Sequence, residues 1–278
     1  MGIKIWWQDI LPSADRSIVG GDVAAQKETE DKLLQSARQV AGEGTEIEVH
    51  HVKYSSYAFN ASYLEMLNSV WIIDGIIEAE QKGYDAAVIG CGNDPGLQEA
   101  RQAVDIPVVG PTEAAMLLAC SLGSKFGVIT VMDEFVPVCE RNIRNYGLGV
   151  RVAGPVKVYQ MGENPFKALF DMVENPASIN PQFDSLCRQC IENGAEVIIP
   201  ACASLSPATS LLGYKTVPDA GVPVIDITQA AVKLAENLVD LKRTIGLGKS
   251  QKGLYKSIPS KLRDRMRAAV NCVDTEQE

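Results

Sequence analysis

The sequence predicts an α/β protein of two related lobes, in which each lobe is a parallel sheet flanked by helices. Strand-like and helix-like segments alternate along the 278 residues, as in chains that form parallel sheets covered by helices. Two segments also repeat each other, because seven of fourteen residues are identical between Ile106–Ala119 and Val222–Ala235. Duplication of one ancestral lobe is the simple explanation of this pattern.

The repeat divides the chain into two lobes and a returning C-terminal segment. We predict a first lobe over residues 1–122, a second lobe over 123–227, and a helix and tail over 228–278 that pack back on the first lobe. The length suits either one large α/β domain or two lobes of ordinary domain size. In an open α/β sheet ligands bind beyond the carboxyl ends of the strands, which predicts a site in the cleft between the lobes.

Apolar runs, helical periodicity and Gly or Pro punctuation locate the elements in order. Several strands are unbroken apolar runs, which is typical of strands buried on both faces. The predicted strands are Ile3–Trp7, Glu46–Val52, Ala86–Gly90, Pro107–Val109, Phe126–Val131, Val150–Val158, Glu196–Pro200 and Pro223–Ile225. The predicted helices are Val23–Glu43, Ser62–Lys82, Gly96–Ala103, Thr112–Leu122, Glu134–Gly147, Asn164–Val173, Asp184–Asn193 and Thr228–Ile245. Farther on, Lys261–Arg267 reads as a solvated basic helical face.

The amino-acid composition argues against some classes of binding partner. A net charge of −9 and a pI near 4.9 argue against binding nucleic acid through a general electrostatic field. The chain shows no apolar stretch of about 20 residues and no signal-peptide layout at its start. We therefore predict a cytoplasmic protein with a small-molecule ligand, no nucleic-acid partner and no membrane association. Its seven cysteines should then be reduced.

Two cysteines occupy matching points of the repeat. Cys91 and Cys202 each end a buried-type strand, and each precedes turn-forming residues and a helix. We expect the helix start to lower the thiol pKa and to hold a developing oxyanion. A single cysteine at the end of an apolar strand is usually a core residue, but two at matching points favour a function. Two opposed thiols suit the removal of a proton from one face of a carbon and its return to the other.

The segments that surround these cysteines resemble a known family. Asp85–Leu97, Ala100–Arg101 and Pro107–Gly110 are similar to the first active-site segment of hydantoin racemases, in the aspartate/glutamate racemase superfamily. The Cys-x-x-Asp-Pro-Gly run that begins at Cys91 is the most specific part of this resemblance. Similar segments continue at Lys125–Thr130, Tyr146–Leu148, Gly194–Cys202 and Pro223–Asp226.

The resemblance implies a racemase that uses no metal, nucleotide or other cofactor. It implies that Cys91 and Cys202 are the acid/base thiols on opposite faces of a carbon alpha to a carbonyl, in a hydantoin-like or amino-acid-like substrate. It also implies a homo-oligomer. The predicted substrate-binding residues are Gly92, Asn93, Asp94, Thr130, Ala203, Ser204, Gln8 and Tyr57.

Two departures from the family leave the substrate open. Hydantoin racemases usually end their first strand in Asn-Pro-Asn, whereas this chain has Trp6–Asp9. Their second cysteine is commonly followed by Ala-Gly-Met, whereas here Ala203–Leu205 follows. Three alternatives therefore remain: a maleate-type cis-trans isomerase, an arylmalonate-type decarboxylase, and a non-catalytic two-lobe binding protein whose cysteines only pack.

Two further patterns bear on packing and assembly. His50 and His51 are the only histidines, and as neighbours on a strand they must point to opposite faces. The helices Ser62–Lys82 and Thr228–Ile245 carry more apolar residues than one buried stripe requires. Excess apolar surface marks a contact with another chain, so we predict a homodimer or a higher assembly built on first-lobe helices.

Overall fold

Two parallel sheets organise the computed structural model, which describes residues 2–13, 23–56, 59–162 and 175–271 together with positions 168 and 171. The first sheet has the strand order β2-β1-β3-β4, and the second has the order β6-β5-β7. All pairs of named strands are parallel, and helices flank both sheets. The strands are β1 (Ile3–Gln8), β2 (Thr45–His50), β3 (Ala86–Ile89), β4 (Val108–Val109), β5 (Phe126–Thr130), β6 (Lys157–Val158) and β7 (Val197–Pro200). The predicted fold class is confirmed.

Helices connect these strands and cover the sheets. They are α1 (Val23–Val40), α2 (Ser62–Gln81), α3 (Leu97–Ala103), α4 (Pro111–Leu122), α5 (Val136–Asn145), α6 (Asn180–Glu192), α7 (Leu205–Leu211), α8 (Ile227–Ile245) and α9 (Ser260–Asn271). Short 3-10 turns lie at Asp133–Phe135, Gly149–Arg151, Pro176–Ile179 and Gly253–Tyr255. Most of the predicted helix Asn164–Val173 lies outside the described residues. No described helix is long and apolar enough to cross a bilayer.

Two predicted strands are wrong in extent. Val150–Val158 begins with a 3-10 turn, and only its last two residues form β6. Gly154 has a φ of 74°, and Pro155 supplies no backbone N–H, so this segment cannot continue as a ladder. Pro223–Ile225 forms only isolated bridges, one of them parallel between Val224 and Ile198.

A single apolar core lies between the two sheets. Along β1 the side chains of Ile5 and Trp7 enter this core, whereas Trp6 enters a separate cluster under α2 and α3. Val128 and Ile199 of the second sheet join the same central core, together with apolar side chains of α4 and α8. A third cluster lies under α6 on the outer face of the second sheet. Because the central core belongs to both lobes, the lobes are packed as one body.

The C-terminal helix α9 docks on the first lobe through buried charge. Arg263 is only 7% exposed, and it donates to the backbone oxygen of Ala103 at 2.6 Å and to Glu80 at 3.1 Å. One turn later Arg267 contacts Asp74 at 2.7 Å. The expectation of a solvated basic face is therefore wrong at Arg263, because its guanidinium reaches inward to cap the end of α3.

We expect Arg263→Ala to destabilise the fold by about 1–3 kcal/mol, because it leaves a buried carbonyl and a carboxylate without their donor. Urea unfolding would measure this loss. The control is Arg265→Ala, since Arg265 lies on the same helix and is exposed, and its removal should cost less than about 0.5 kcal/mol. Equal effects of the two substitutions would contradict the docking role of Arg263.

Candidate active site

The two cysteine loops begin with the same backbone hydrogen bond. Cys91 follows β3, and its N–H donates to the Ile89 oxygen at 2.9 Å. Cys202 follows β7, and its N–H donates to the Pro200 oxygen, also at 2.9 Å. In each loop the cysteine oxygen then accepts an N–H from a residue three or four positions later. The sequence repeat is thus also a repeat of local structure.

The two loops meet at Gly92. A Cβ atom at this position would lie 2.6 Å from the Ala201 oxygen and 2.9 Å from the Cys202 Cα. Both are backbone atoms that cannot move aside, so glycine alone fits where the loops touch. The thiolate of Cys202 also acts electrostatically on Cys91 and raises its pKa. The structure therefore brings the two predicted cysteines into one site.

The two thiols differ in burial. Cys91 is 8% exposed, whereas Cys202 is partly open to solvent. Burial raises the pKa of both thiols, and it outweighs the N–H of Asn93 near Cys91 and the N–H groups of Leu205 and Ser204 near Cys202. The expectation of a lowered pKa is wrong for the ligand-free protein, because desolvation exceeds the effect of the nearby backbone donors.

The carboxylate of Asp94 holds the first loop against α4. Its oxygens accept the N–H groups of Thr112 at 3.2 Å and Glu113 at 2.9 Å, and the hydroxyl of Tyr146 at 2.8 Å. The Thr112 hydroxyl returns a bond to the Gly92 oxygen at 2.6 Å. Burial raises the pKa of Asp94 to about 7. These bonds direct the Asp94 side chain to the helix start, where it positions the Cys91 loop.

The second lobe repeats this device with different residues. Ser206, four positions after Cys202, accepts the N–H of Ile227 at 2.9 Å. Asp226 caps the same helix, α8, and accepts the N–H of Thr228 at 2.8 Å. In both lobes a side chain three or four positions after the cysteine therefore binds the start of the helix that follows the Pro-Val segment.

Helix α5 of the second lobe reaches across to the first lobe. Asn142 donates its side-chain N–H to the backbone oxygen of Asn93 at 2.7 Å, and its neighbour Arg141 contacts Glu65 of α2 at 2.6 Å. Asn93 is buried, and its backbone N–H acts on the Cys91 thiol. Together with the Tyr146 bond to Asp94, these contacts tie the Cys91 loop to the second lobe.

The other predicted substrate-binding residues differ in burial and in the groups that they contact. Ala203 and Ser204 are half-buried beside Cys202, and the Ser204 N–H lies 3.5 Å from the Cys202 Sγ. Thr130 is buried at the end of β5, and its hydroxyl faces the thiol of Cys139. Tyr57 lies outside the described residues.

Gln8 is occupied by internal hydrogen bonds. Its Oε1 accepts the Trp6 Nε1–H at 2.8 Å, and its Nε2 donates to the backbone oxygens of Asp9 at 2.8 Å and His50 at 3.1 Å. A Cβ at Gly75 of α2 would lie 1.8 Å from the Gln8 Oε1. The Gln8 side chain is thus packed between β1 and α2, with its amide already hydrogen-bonded within the protein.

The two histidines point to opposite faces, as predicted. His50 stacks on Trp6 with ring centroids 3.3 Å apart. His51 lies 3.1 Å from a Glu30 oxygen, and a hydrogen bond to Glu30 raises its pKa. Burial raises the pKa of the neighbouring Asp9 to about 6. The ligand atoms of Asp9, Glu30 and His51 lie within 4.8 Å of one another, and within the described residues they form the one group able to hold a metal ion.

The sequence analysis missed Glu65, Arg141, Asn142 and Tyr146. One signal was available for Glu65, because it stands in the buried stripe of α2 that otherwise holds mainly apolar residues. A carboxylate in such a stripe marks a partner or a site. Arg141 and Asn142 of α5 gave no comparable signal, because their role depends on how α5 crosses to the first lobe. Tyr146, which follows α5, stood in a family-like segment but without an assigned role.

Comparison with known proteins supports this fold and identifies its family. The sequence profile of the family described as Asp/Glu/Hydantoin racemase matches residues 18–235. A hydantoin racemase from Pseudomonas sp. (strain NS671) is 33% identical over 210 residues, which cover 75% of this chain and 80% of that protein. The hydantoin racemase of Rhizobium meliloti is 31% identical and covers 75% of this chain and 82% of its own length.

A solved structure agrees. Allantoin racemase from Klebsiella pneumoniae superimposes with a TM-score of 0.73 and 25% identity, over 93% of this chain and 94% of that chain. Fold, paired loops and sequence matches define a two-lobe racemase. The chain belongs to the Asp/Glu/hydantoin racemase family, and it is an isomerase of the racemase type.

We expect iodoacetamide to label Cys202 faster than Cys91, and both slowly at pH 7, because a raised pKa leaves little thiolate at that pH. Labelling should accelerate as the pH rises toward 10. Peptide mass spectrometry after timed labelling would measure both rates. Cys187 and Cys190 are 0% exposed and should stay unlabelled in the folded protein. Rapid labelling of Cys91 at pH 7 would contradict this account.

Proposed function

We propose that this racemase moves a proton between the two faces of a carbon alpha to a carbonyl, with Cys91 and Cys202 as the two acid/base groups. The observation that carries the proposal is the backbone contact at Gly92, which joins two loops that each carry a cysteine just after a strand of a parallel sheet. In the proposed reaction no metal, nucleotide or other cofactor takes part.

The proposed reaction has two proton transfers. The thiolate of one cysteine removes the proton, and the electron pair of the broken C–H bond moves to the carbonyl oxygen to give an enolate. Buried N–H donors near the cysteines stabilise this oxyanion. The thiol of the other cysteine then donates a proton to the opposite face. Each turnover leaves the enzyme with its single thiolate on the other cysteine, ready for the reverse direction.

The substrate is a small molecule, and we propose a hydantoin-like one. Both curated relatives described above are hydantoin racemases, and allantoin racemase has a similar structure. The lack of nucleic-acid and membrane partners and the cytoplasmic location stay predictions.

We expect Cys91→Ser and Cys202→Ser each to reduce racemisation of a 5-substituted hydantoin at least about 100-fold. The remaining thiol can still remove the proton on its own face. In deuterated buffer each variant should therefore exchange one enantiomer only, and the two variants should differ in which one.

Polarimetry and NMR would measure turnover and exchange. Cys120→Ser is the control, because Cys120 lies near the C-terminal end of α4 and this change should preserve turnover. Near wild-type racemisation by both active-site variants would remove the two-thiol mechanism. A covalent substrate adduct on either cysteine would favour the isomerase alternative instead.

We also propose that the protein is a homodimer joined through α2. Tyr63, Met66, Leu67 and Val70 form one stripe of this helix at helical spacing, and each is between 43% and 67% exposed. Helix α8, which the sequence analysis named beside it, buries its apolar face against α1, α4 and the first sheet. Of these two helices, α2 therefore carries the larger exposed apolar surface.

We expect light scattering after size exclusion to give about twice the 30.0 kDa chain mass at micromolar concentration. Leu67→Glu should convert the dimer to a monomer, because it places a charge in the centre of the stripe. Leu122→Glu, at an exposed leucine of α4, should leave the dimer intact. A monomeric wild-type protein would remove this proposal and leave the catalytic one untouched.

A further inference from the structure

Two buried polar atoms beside Cys91 have no hydrogen-bond partner within the described part of the chain. One is the Oε2 of Glu65, and the other is the Nδ2 of Asn93. The two residues are 6% and 4% exposed. Buried polar atoms without partners cost folding free energy, and native structures keep few of them. An acceptor and a donor left open near Cys91 therefore call for a ligand that supplies their complements.

The packing of α2 places Glu65 over the Cys91 loop. A Cβ at Gly96 would lie 3.2 Å from both the Ser69 Cβ and the Ile73 Cδ1, so this face of α2 lies directly on the loop. Glu65 stands one turn before Ser69 on that face, and its backbone oxygen accepts the Ser69 hydroxyl at 2.7 Å. Its carboxylate is also one of the charges that act on Cys91. Glu65 is therefore near the proton that Cys91 would transfer.

Neighbouring residues of α5 fix the two open groups. Arg141 binds the Oε1 of Glu65 at 2.6 Å and leaves Oε2 directed away from this pair. Asn142 binds the backbone oxygen of Asn93 at 2.7 Å, which holds that residue while its side-chain amide stays open. Acceptor and donor are thus both preorganised before any substrate arrives.

We propose that Glu65 and Asn93 recognise an N–H and a C=O on either side of the acidic carbon, so that the substrates are neutral cyclic ureides or amides. Glu65 Oε2 accepts the N–H that adjoins the acidic carbon, and Asn93 Nδ2 donates to the carbonyl oxygen. This inference rests on the proposed function, and it assigns Glu65 as a specificity-determining residue of the same site.

Charge separates this substrate class from free amino acids. The carboxylate of Glu65 is one of the charges that act on Cys91, and its Oε2 has no partner within the described residues. The nearby guanidinium of Arg141 is already paired with Glu65. A substrate carboxylate beside Cys91 would be repelled, whereas a ring with a neutral N–H and C=O loses nothing on entering. The donation from Asn93 also strengthens as the carbonyl oxygen becomes an enolate.

A chemical double-mutant cycle tests the role of Glu65. The assay compares a 5-substituted hydantoin with its analogue methylated on the nitrogen next to carbon 5, in the wild-type enzyme and in Glu65→Gln. We expect either single change to reduce kcat/KM by roughly 10- to 100-fold, because each removes one partner of a charge-assisted hydrogen bond. The two changes together should cost little more than one, because the bond is already lost.

Controls separate this inference from folding and from the proposed function. Glu78→Gln makes the same change at an exposed, ion-paired residue of α2, and it should leave kcat/KM for both substrates unchanged. Arg141→Met breaks the same ion pair without removing the acceptor, so it should keep the preference for the N–H substrate. Fully additive losses, or equal use of the N-methyl compound by the wild-type enzyme, would overturn the inference. Absence of any proton exchange by the wild-type enzyme would instead overturn the proposed function.

Discussion

The approach of two backbone turns at Gly92 is the constraint on which the active site depends. Parallel strands must end at the same edge of their sheet, so β3 and β7 each deliver a cysteine to the cleft. Only the missing Cβ of Gly92 lets the first turn touch Ala201 and Cys202. A side chain there would separate the lobes and widen the distance between the thiols. The central core shared by both sheets then fixes this distance from behind.

Asp94 and Ser206 hold similar places in the two lobes, but one side chain is a carboxylic acid and the other is a hydroxyl. Both bind the start of the helix that follows a Pro-Val segment, so both hold a cysteine loop in place. Asp94 is charged when ionised and buried, however, and it also binds Tyr146 of the other lobe. The first loop is therefore tied to the second lobe, whereas the second loop stays partly open.

Much of the fold followed from local pattern, because apolar runs and helix starts are local properties. The parallel sheets and the meeting of Cys91 with Cys202 were predicted in this way. Three features depend on packing between distant segments and were not predictable. Burial raises the thiol pKa that was expected to be lowered. Arg263 binds residues some 160 to 183 positions earlier in the chain. Arg141 of the second lobe contacts Glu65 of the first. Val150–Val158 failed for a local reason, since Gly154 and Pro155 weaken an otherwise strand-like pattern.

The unequal burial of the two thiols can make the two directions of racemisation differ in kcat and KM, but thermodynamics fixes the ratio kcat/KM. Enantiomers have equal free energies in water, so a racemase must have the same kcat/KM in both directions whatever its site looks like. A buried Cys91 and a half-open Cys202 nevertheless have different costs of ionisation, and one protonation state of the pair is therefore favoured in the free enzyme. With Cys91 and Cys202 as the acid/base pair, the favoured protonation state makes kcat differ between the two enantiomers. The KM values must then differ by the same factor, because kcat/KM is equal in the two directions. The enantiomer that reacts with the less populated protonation state of the cysteine pair has the higher KM. A duplicated fold thus supplies two equivalent positions, and the burial around each position sets how the two directions share the same overall efficiency.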